Sequence, residues 1–279
     1  MAPLTVALLL VAALLHASWN AILRGGADRL WSITVMAALG GAMAVAFDLI
    51  MGWPAPARAS WPFMAGSAVL QAGYCLFLVR AYRDGHLGHA YPIARGTAPL
   101  LVTLGAWALA GEHLTGPSLA GVLLVSAGIL VLAMGRDRPD LKTIAAAMAT
   151  GAFIAGYMVV DGFGVRRSGH ALAYAAWGSG VQGLAILMTF VAVRRRLPET
   201  PRGRGGLAPV IGALISTLAY SVVLWAMSRS PMGQVSALRE TSILFAAVLG
   251  ALFLGEPVSL RRILGGVAIA AGAVCLTVA

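Results

Sequence analysis

Two arginines stand inside long apolar segments, Arg95 in YPIARGTAPLL and Arg239 in SALRETSILF. A charged side chain in apolar surroundings is costly, so each of them needs a partner or a polar cavity. Two guanidinium groups around one cavity suit a carboxylate or a phosphate, which arginine binds through two parallel hydrogen bonds. The alternative is that each arginine pairs with a carboxylate of the chain, such as the adjacent Glu240, or caps backbone carbonyl groups.

Other polar and aromatic side chains recur at helical spacing. His16 and Asn20 are four residues apart, as are Tyr157 and Asp161, and this spacing places both members of a pair on one helix face. Such groups could line a site for a small zwitterion or anion, or they could only hydrogen-bond neighbouring helices. The further lining candidates are polar or aromatic residues within apolar segments, namely Trp19, Gln71, Tyr74, Tyr91, Gln182 and Tyr220.

Asp161 and Glu240 are the carboxylates well inside apolar segments, whereas Asp48 lies near the end of one. Each of the first two is a candidate to carry a coupling proton. Asp84, His86 and His89 lack a fixed ligand spacing, so we interpret them as a solvated loop and expect no metal and no cofactor. The remaining residues of note are predicted to be structural: Glu112 and Glu256 at helix ends, and Cys75 and Cys275 in packing.

The elements that position these residues follow from composition. Of 279 residues, 59% are hydrophobic and 11% are charged, whereas soluble domains carry roughly 25% charged residues. The chain therefore has too little polar surface to face water on all sides, and a lipid bilayer is the expected surrounding. Although the net charge is +10, the basic residues are scattered among short connections without a nucleic-acid-binding motif, which argues against nucleic acid as a partner.

The apolar runs predict an all-α integral membrane protein with ten transmembrane helices, because about 20 apolar residues cross a bilayer. The predicted spans are 3–23, 31–52, 62–82, 90–110, 116–134, 142–164, 171–193, 208–228, 233–254 and 261–279. A β-barrel would instead show shorter, alternating strands. Pro92 and Pro99 are expected to bend the fourth span.

An internal repeat relates the two halves of the chain. A shift of 144 positions from Arg95 places it on Arg239, and it also aligns Gly111-Glu112 with Gly255-Glu256. The same shift aligns the glycine pairs Gly121/Gly265 and Gly128/Gly272, which we interpret as close-packed helix faces. We therefore expect two five-helix repeats, 1–138 and 139–279, and an odd number of spans puts the second upside down relative to the first.

The distribution of positive charge predicts an orientation. The odd-numbered connections hold fourteen Lys and Arg residues and the even-numbered connections hold four. The positive-inside rule then places the odd-numbered connections in the cytoplasm and both termini outside.

The sequence resembles the drug/metabolite transporter superfamily, specifically its EamA-type members with ten helices. The resemblance rests on LLHASWNAIL, AYRDGHLGHAYPIARGTAP and the paired Gly-Glu ends LAGEHLTG and FLGEPVSL, and it covers nearly the whole chain. It implies a multi-pass protein of the bacterial inner membrane. Family members often have tryptophan where His16 stands, and the family is usually drawn with both termini cytoplasmic, opposite to the charge count. The orientation stays open.

Together these features favour a secondary transporter that exports a small polar metabolite, such as an amino acid or organic anion, by alternating access between inverted repeats. The expected partners are a small-molecule substrate, the lipid bilayer and, as a candidate, protons, with the chain a monomer or homodimer. One alternative is an intramembrane enzyme acting on a lipid-linked substrate, and another is a non-transporting membrane subunit or receptor.

Overall fold

A computed structural model describes residues 1–24, 28–83, 87–133, 140–199, 207–254 and 259–278. Asp84, His86, Gly255 and Glu256 lie outside the described residues, and so does the side chain of His89. The roles predicted for these positions therefore stay predictions.

The described chain is helical almost throughout, with eleven α-helices and one 3₁₀ turn, Arg58–Ser60. In chain order the helices are α1 Pro3–Arg24, α2 Arg29–Met51, α3 Trp61–Arg83, α4 Leu87–Ala110, α5 Gly116–Ala133, α6 Leu141–Arg167, α7 Ala171–Arg194, α8 Leu207–Met227, α9 Met232–Arg239, α10 Ser242–Leu254 and α11 Leu260–Val278. The predicted all-α membrane architecture is thus confirmed.

Lipid-facing surface is visible on these helices. Within the described residues, seven helices are long and apolar enough to cross a membrane by length and composition, and Gly116–Leu132 is a shorter apolar helix. Large apolar side chains point outwards from the bundle; Ile50 is 82% exposed, Leu109 71% and Val69 70%. Water would not stabilise such a surface, so the bundle is a multi-pass membrane protein.

The ninth predicted span, 233–254, is wrong as a single helix. It is divided into α9 and α10 at Glu240 and Thr241. Here the backbone turns more tightly, because Glu240 N donates to Ala237 O and Thr241 N to Leu238 O, three residues back. The Thr241 hydroxyl also donates to Leu238 O at 2.7 Å, and a hydroxyl that competes for the backbone in this way disturbs a helix. By contrast, α4 continues through Pro92 and Pro99 as one helix.

The connections gather at two ends of the bundle. We call one of them the Met1 end, because Met1 borders a groove there together with Arg229 and Pro231. Arg166, at the end of α6, also lies at the Met1 end, where it donates to Ser230 O at 3.0 Å. Helix α1 therefore begins where α6 ends, and the two helices that open the halves run in opposite directions.

At the opposite end, Arg194 Nη2 lies 3.0 Å from Asp28 Oδ2, and Trp31 Nε1 donates to Glu199 O at 3.0 Å. We call this the Asp28 end. It holds the connection between α1 and α2 and the one that follows α7. Both are odd-numbered connections of the ten-span scheme.

Small residues allow helices from the two halves to approach closely. Helix α5 packs against α11, and α2 packs against α7. A Cβ added to Gly128 would lie 2.7 Å from Gly265 O, and one added to Gly121 would lie 2.8 Å from Gly272 O. These four glycines therefore face each other backbone to backbone, which confirms the close-packed faces predicted from the repeat.

Candidate functional site

The candidate site is a cavity of about 170 Å³ inside the bundle. Tyr157 and Arg239 line it near the middle of the bundle, where α9 ends. Leu23 and Ile33, on either side of the connection between α1 and α2, line it near the Asp28 end. The cavity therefore extends from the centre of the bundle towards the Asp28 end.

Of the twelve residues predicted to bind substrate, eleven line this cavity. They are His16, Trp19, Asn20, Gln71, Tyr74, Tyr91, Arg95, Tyr157, Gln182, Tyr220 and Arg239. They come from α1, α3, α4, α6, α7, α8 and α9, so helices of both halves contribute. Asp161 is not a lining residue, and its contacts are described below.

Arg95 lies at the polar centre of the site and is only 4% exposed. Its Nε lies 2.6 Å from Glu240 Oε2, a close ionic contact rather than an aligned hydrogen bond. Its Nη2 donates to Ser242 Oγ at 2.9 Å, and its Nη1 lies 3.0 Å from His16 Nε2. All three guanidinium nitrogens of Arg95 therefore already have partners within the protein.

Glu240 is shared between both arginines. Its side chain is fully buried, and Oε1 accepts from Arg239 Nη2 at 3.1 Å while Oε2 contacts Arg95. The repeat places Gly96 at the corresponding position of the first half, so the two arginines have counterparts but the carboxylate has none. Two cations and one anion thus meet at the break between α9 and α10.

This arrangement joins the two interpretations of the arginines that the sequence leaves open. Each arginine pairs with Glu240, and each also lines the cavity. Arg239 has a further donor, since its Nε has no hydrogen-bond partner among the described residues. A second anion would therefore meet a positive guanidinium here, in surroundings where charge is poorly screened.

His16 is held in one tautomer by its contact with Arg95. Arginine can only donate, so His16 Nε2 accepts and the ring proton resides on Nδ1. The neighbouring Trp19 ring lies edge-on to the imidazole, with centroids 5.0 Å apart. Asn20 donates from Nδ2 to His16 O at 2.7 Å, which leaves its side-chain oxygen as an acceptor near the cavity.

Aromatic rings form much of the wall. Tyr157 lies between Tyr74 and Tyr220, with ring centroids 6.3 and 6.2 Å away, in edge-to-face geometry. The Tyr91 ring lies beside Arg95, with Cζ of the arginine 5.7 Å from the ring centroid. Rings and amides together offer a site that can contact an apolar body and orient a charged group.

Asp161 lies one hydrogen bond behind the cavity wall. Its Oδ2 accepts from the Tyr220 hydroxyl at 2.5 Å and its Oδ1 accepts from the Tyr174 hydroxyl at 3.0 Å. The carboxylate is 4% exposed. The expectation that Asp161 lines the cavity beside Tyr157 is therefore wrong, because a four-residue step along α6 carries it past the wall into the contact between α6, α7 and α8.

Glycines bring α2 and α7 close enough to form one side of the site. A Cβ on Gly41 would meet the Ser179 carbonyl oxygen, and one on Gly183 would lie 2.6 Å from Ala37 O. Gly41, Ala37 and Ser179 all line the cavity. Larger residues at these glycines would separate the two helices and widen this wall.

Some contributors were missed by reasoning from the sequence. Ser242 and Tyr174 contact Arg95 and Asp161 directly, and Ser216 and Thr217 line the cavity. The signal for Ser242 was present, since Arg239, Glu240, Thr241 and Ser242 form a polar run inside an apolar segment. Tyr174 has no such signal, because it belongs to another helix than Asp161.

Glu112 is structural, as predicted. Its Oε2 accepts from Met232 N at 2.8 Å, at the start of α9, and its Oε1 pairs with Arg166 at 2.5 Å. It therefore ties the connection after α4 to α6 and α9 at the Met1 end. Within the part of the chain that the structure describes, no group of three His, Cys, Asp or Glu side chains is placed to hold a metal ion.

Comparison with known proteins identifies the second half of the chain. Residues 141–278 match the EamA-like transporter family. An uncharacterized protein of Pseudomonas aeruginosa is 29% identical over 248 residues, covering 85% of this chain and 83% of that protein. A crystal structure superposes with a TM-score of 0.78 at 20% identity, covering 99% of this chain and 96% of the other. The family resemblance seen in the sequence is thus confirmed for residues 141–278, and the solved structure shares the fold.

Proposed function

We propose a substrate class and a mechanism for this chain from the premise that it is a membrane transporter with an EamA-like transporter domain. It is a secondary transporter of the bacterial inner membrane that exports a small polar metabolite, an amino acid or another organic anion. The substrate binds in the central cavity, with its anionic group at Arg239, close to the Arg95–Glu240 pair, and its body against the tyrosine rings.

One observation carries this proposal: two arginines, one from each half, line the same cavity and share a single carboxylate, Glu240. A binding site near the middle of the membrane, beside a broken helix and between two halves, suits alternating access. Because residues of both halves line the cavity, movement of one half against the other changes the shape of the site. This is the requirement for coupling binding to transport.

The mechanism assigns one repeat to residues 1–138 and the other to 139–279. The repeats rock against each other around the site, so that the cavity faces alternately the Asp28 end and the Met1 end. Close packing of α5 against α11 through facing glycines gives a contact about which such rocking could occur. The Glu112–Arg166 pair, which joins the two repeats at the Met1 end, would break and re-form during the cycle.

The direction of export follows if the charge count gives the orientation. The Asp28 end is then cytoplasmic, and a cavity that approaches this end would load its substrate from the cytoplasm. Single cysteines at Glu199, near the Asp28 end, and at Arg58, at the other end, test this in a background without Cys75 and Cys275. Impermeant maleimide added to intact cells should label only the Arg58→Cys protein, whereas labelling of Glu199→Cys alone would reverse the direction.

Counterflow of labelled solutes into proteoliposomes tests the function itself. A panel of amino acids, carboxylates and phosphonates should include solutes that the wild-type protein moves and that raise its melting temperature. Arg95→Ala and Arg239→Ala should abolish both effects, because each removes a cation from the site. Arg229→Ala serves as the control, since Arg229 is exposed at the Met1 end and stacks on Trp225. Full retention of activity by both cavity variants would contradict the proposal.

A further inference from the structure

The cluster that faces the cavity holds one positive charge in excess, and we infer that this excess sets the valence of the substrate. The transporter takes an organic anion with a single negative charge, seated on Arg239, and discriminates against dianions and neutral analogues. This inference rests on the proposed transport function and narrows its substrate class. The residue that decides the valence is Glu240.

The charge count is simple because few ionisable groups touch the cavity. Among the described lining residues, Arg95 and Arg239 are the charged ones, and Glu240 neutralises one of them. His16 is neutral in this arrangement, since its Nε2 accepts from Arg95. Asp161 stands outside the lining, behind Tyr220, with each carboxylate oxygen accepting a tyrosine hydroxyl. The balance at the cavity wall is one unit of positive charge.

Arg239 is the seat for the substrate anion. Arg95 has a partner at each nitrogen, in Glu240, His16 and Ser242. Arg239 contacts Glu240 through Nη2, and its Nε has no hydrogen-bond partner among the described residues. A guanidinium with one unpartnered N–H beside a cavity provides a donor for a charge-assisted hydrogen bond to a carboxylate.

Glu240 is built to remain in place when the substrate binds. It is fully buried, and the tight turn between α9 and α10 fixes its backbone. Its contact with Arg95 joins the two halves of the chain. A substrate carboxylate therefore adds to the cluster and brings its charge to zero, rather than displacing Glu240.

A second negative charge on the substrate would meet no cation of its own. The remaining wall is made of rings, amides, hydroxyls and aliphatic groups such as Tyr74, Gln182 and Ile186. A desolvated charge without a counter-charge is strongly unfavourable. A neutral ligand is also unfavourable, because it covers the Arg239 guanidinium without supplying a negative charge to pair with it.

Three ligands that share a benzene ring and differ in net charge test the inference. Benzoate, phthalate and benzamide carry one, two and no negative charges at pH 7.5, and each has an aromatic body that suits the tyrosine wall. Dissociation constants are measured by calorimetry with purified protein in detergent. Wild type should bind benzoate about tenfold or more tightly than either analogue, as expected for one unbalanced unit charge in a partly screened site.

Two variants move the charge of the cluster in opposite directions. Glu240→Gln raises it by one unit and should shift the preference to phthalate. Arg239→Gln lowers it by one unit and leaves Arg95 and Glu240 as a neutral pair, so benzoate should lose its advantage over benzamide. Asp48→Asn is the matched control, because Asp48 is a buried carboxylate, bonded to Trp177, that does not line the cavity. It should preserve the wild-type order.

The inference is overturned if the wild-type protein binds phthalate as tightly as benzoate. It is also overturned if folded Glu240→Gln keeps the wild-type order of affinities for the three ligands. If that variant fails to fold, an unchanged preference for benzoate in Arg239→Gln overturns it equally. Counterflow measurements distinguish a failure of the inferred charge preference from a failure of the proposed transport function. Equal transport of mono- and dianions contradicts the valence alone, whereas absence of transport for every solute contradicts the function.

Discussion

Arg95 and Glu240 form an ion pair of 2.6 Å between the two halves of the chain, and neither side chain has more than 5% of its surface exposed. A buried pair of this kind holds its geometry firmly, because loss of either partner leaves the other charged group with less compensation. The pair also connects α4 to the break between α9 and α10. The site is therefore assembled by the same contact that holds the halves together.

Removal of the Arg95 charge should destabilise the protein. In Arg95→Gln, Glu240 retains Arg239 as a partner, but His16 and Ser242 lose a donor, and we expect a loss of about 3 kcal/mol in the free energy of unfolding. Thermal unfolding in detergent micelles would show this as a lower melting temperature. The control is Arg167→Gln, which removes an exposed arginine that stacks on Phe63 and Phe163. Equal melting temperatures for the two variants would contradict a structural role of the pair.

Filling the cavity should stop transport without unfolding the protein. Ser216 lines the cavity, and Leu218, two residues along α8, is 57% exposed on the outer surface. Ser216→Phe is expected to abolish counterflow, because the added ring occupies space that the substrate needs. Leu218→Phe adds a ring to the lipid-facing side and should transport as wild type does. A Ser216→Phe protein with normal transport rates would place the pathway elsewhere.

Asp161 is predicted to couple transport to protons. Its carboxylate accepts from Tyr174 and Tyr220, and Tyr220 lines the cavity, so a change in its protonation would reach the site through one hydrogen bond. Asp161→Asn should retain counterflow but lose accumulation driven by a pH gradient across proteoliposomes. Asp48→Asn, which alters another buried carboxylate, should keep the driven accumulation. The same accumulation with and without a gradient in wild type would dispose of proton coupling.

The glycine contact between α5 and α11 should tolerate no side chain. A Cβ on Gly128 would lie 2.7 Å from Gly265 O, so Gly128→Ala is expected to cost about 1–3 kcal/mol through forced separation of the helices. Gly116, at the start of α5, has open space around its Cβ position. Gly116→Ala should therefore leave the melting temperature unchanged or slightly higher. Similar melting temperatures for both alanine variants would show that the helices can separate without cost.

The repeat and the lengths of the apolar segments could be inferred from sequence alone, because both depend on the order of the residues and not on how the helices pack. Stretches of about 20 apolar residues require helices in lipid. The Arg95/Arg239 correspondence follows from alignment of the chain with itself. Polar residues within such stretches are costly, so they face a cavity or a partner, which is why eleven of the twelve candidates line one site.

The partners of those residues were decided only by the tertiary structure. Which carboxylate neutralises which arginine depends on how α4 lies against α9, and sequence neighbours could not reveal that Glu240 serves both. Helical spacing likewise placed Asp161 beside Tyr157 on the cavity wall, yet packing of α6 against α7 and α8 put its carboxylate behind Tyr220. Periodicity defines the face of a helix, whereas the depth of a side chain in the bundle is set by the neighbouring helices.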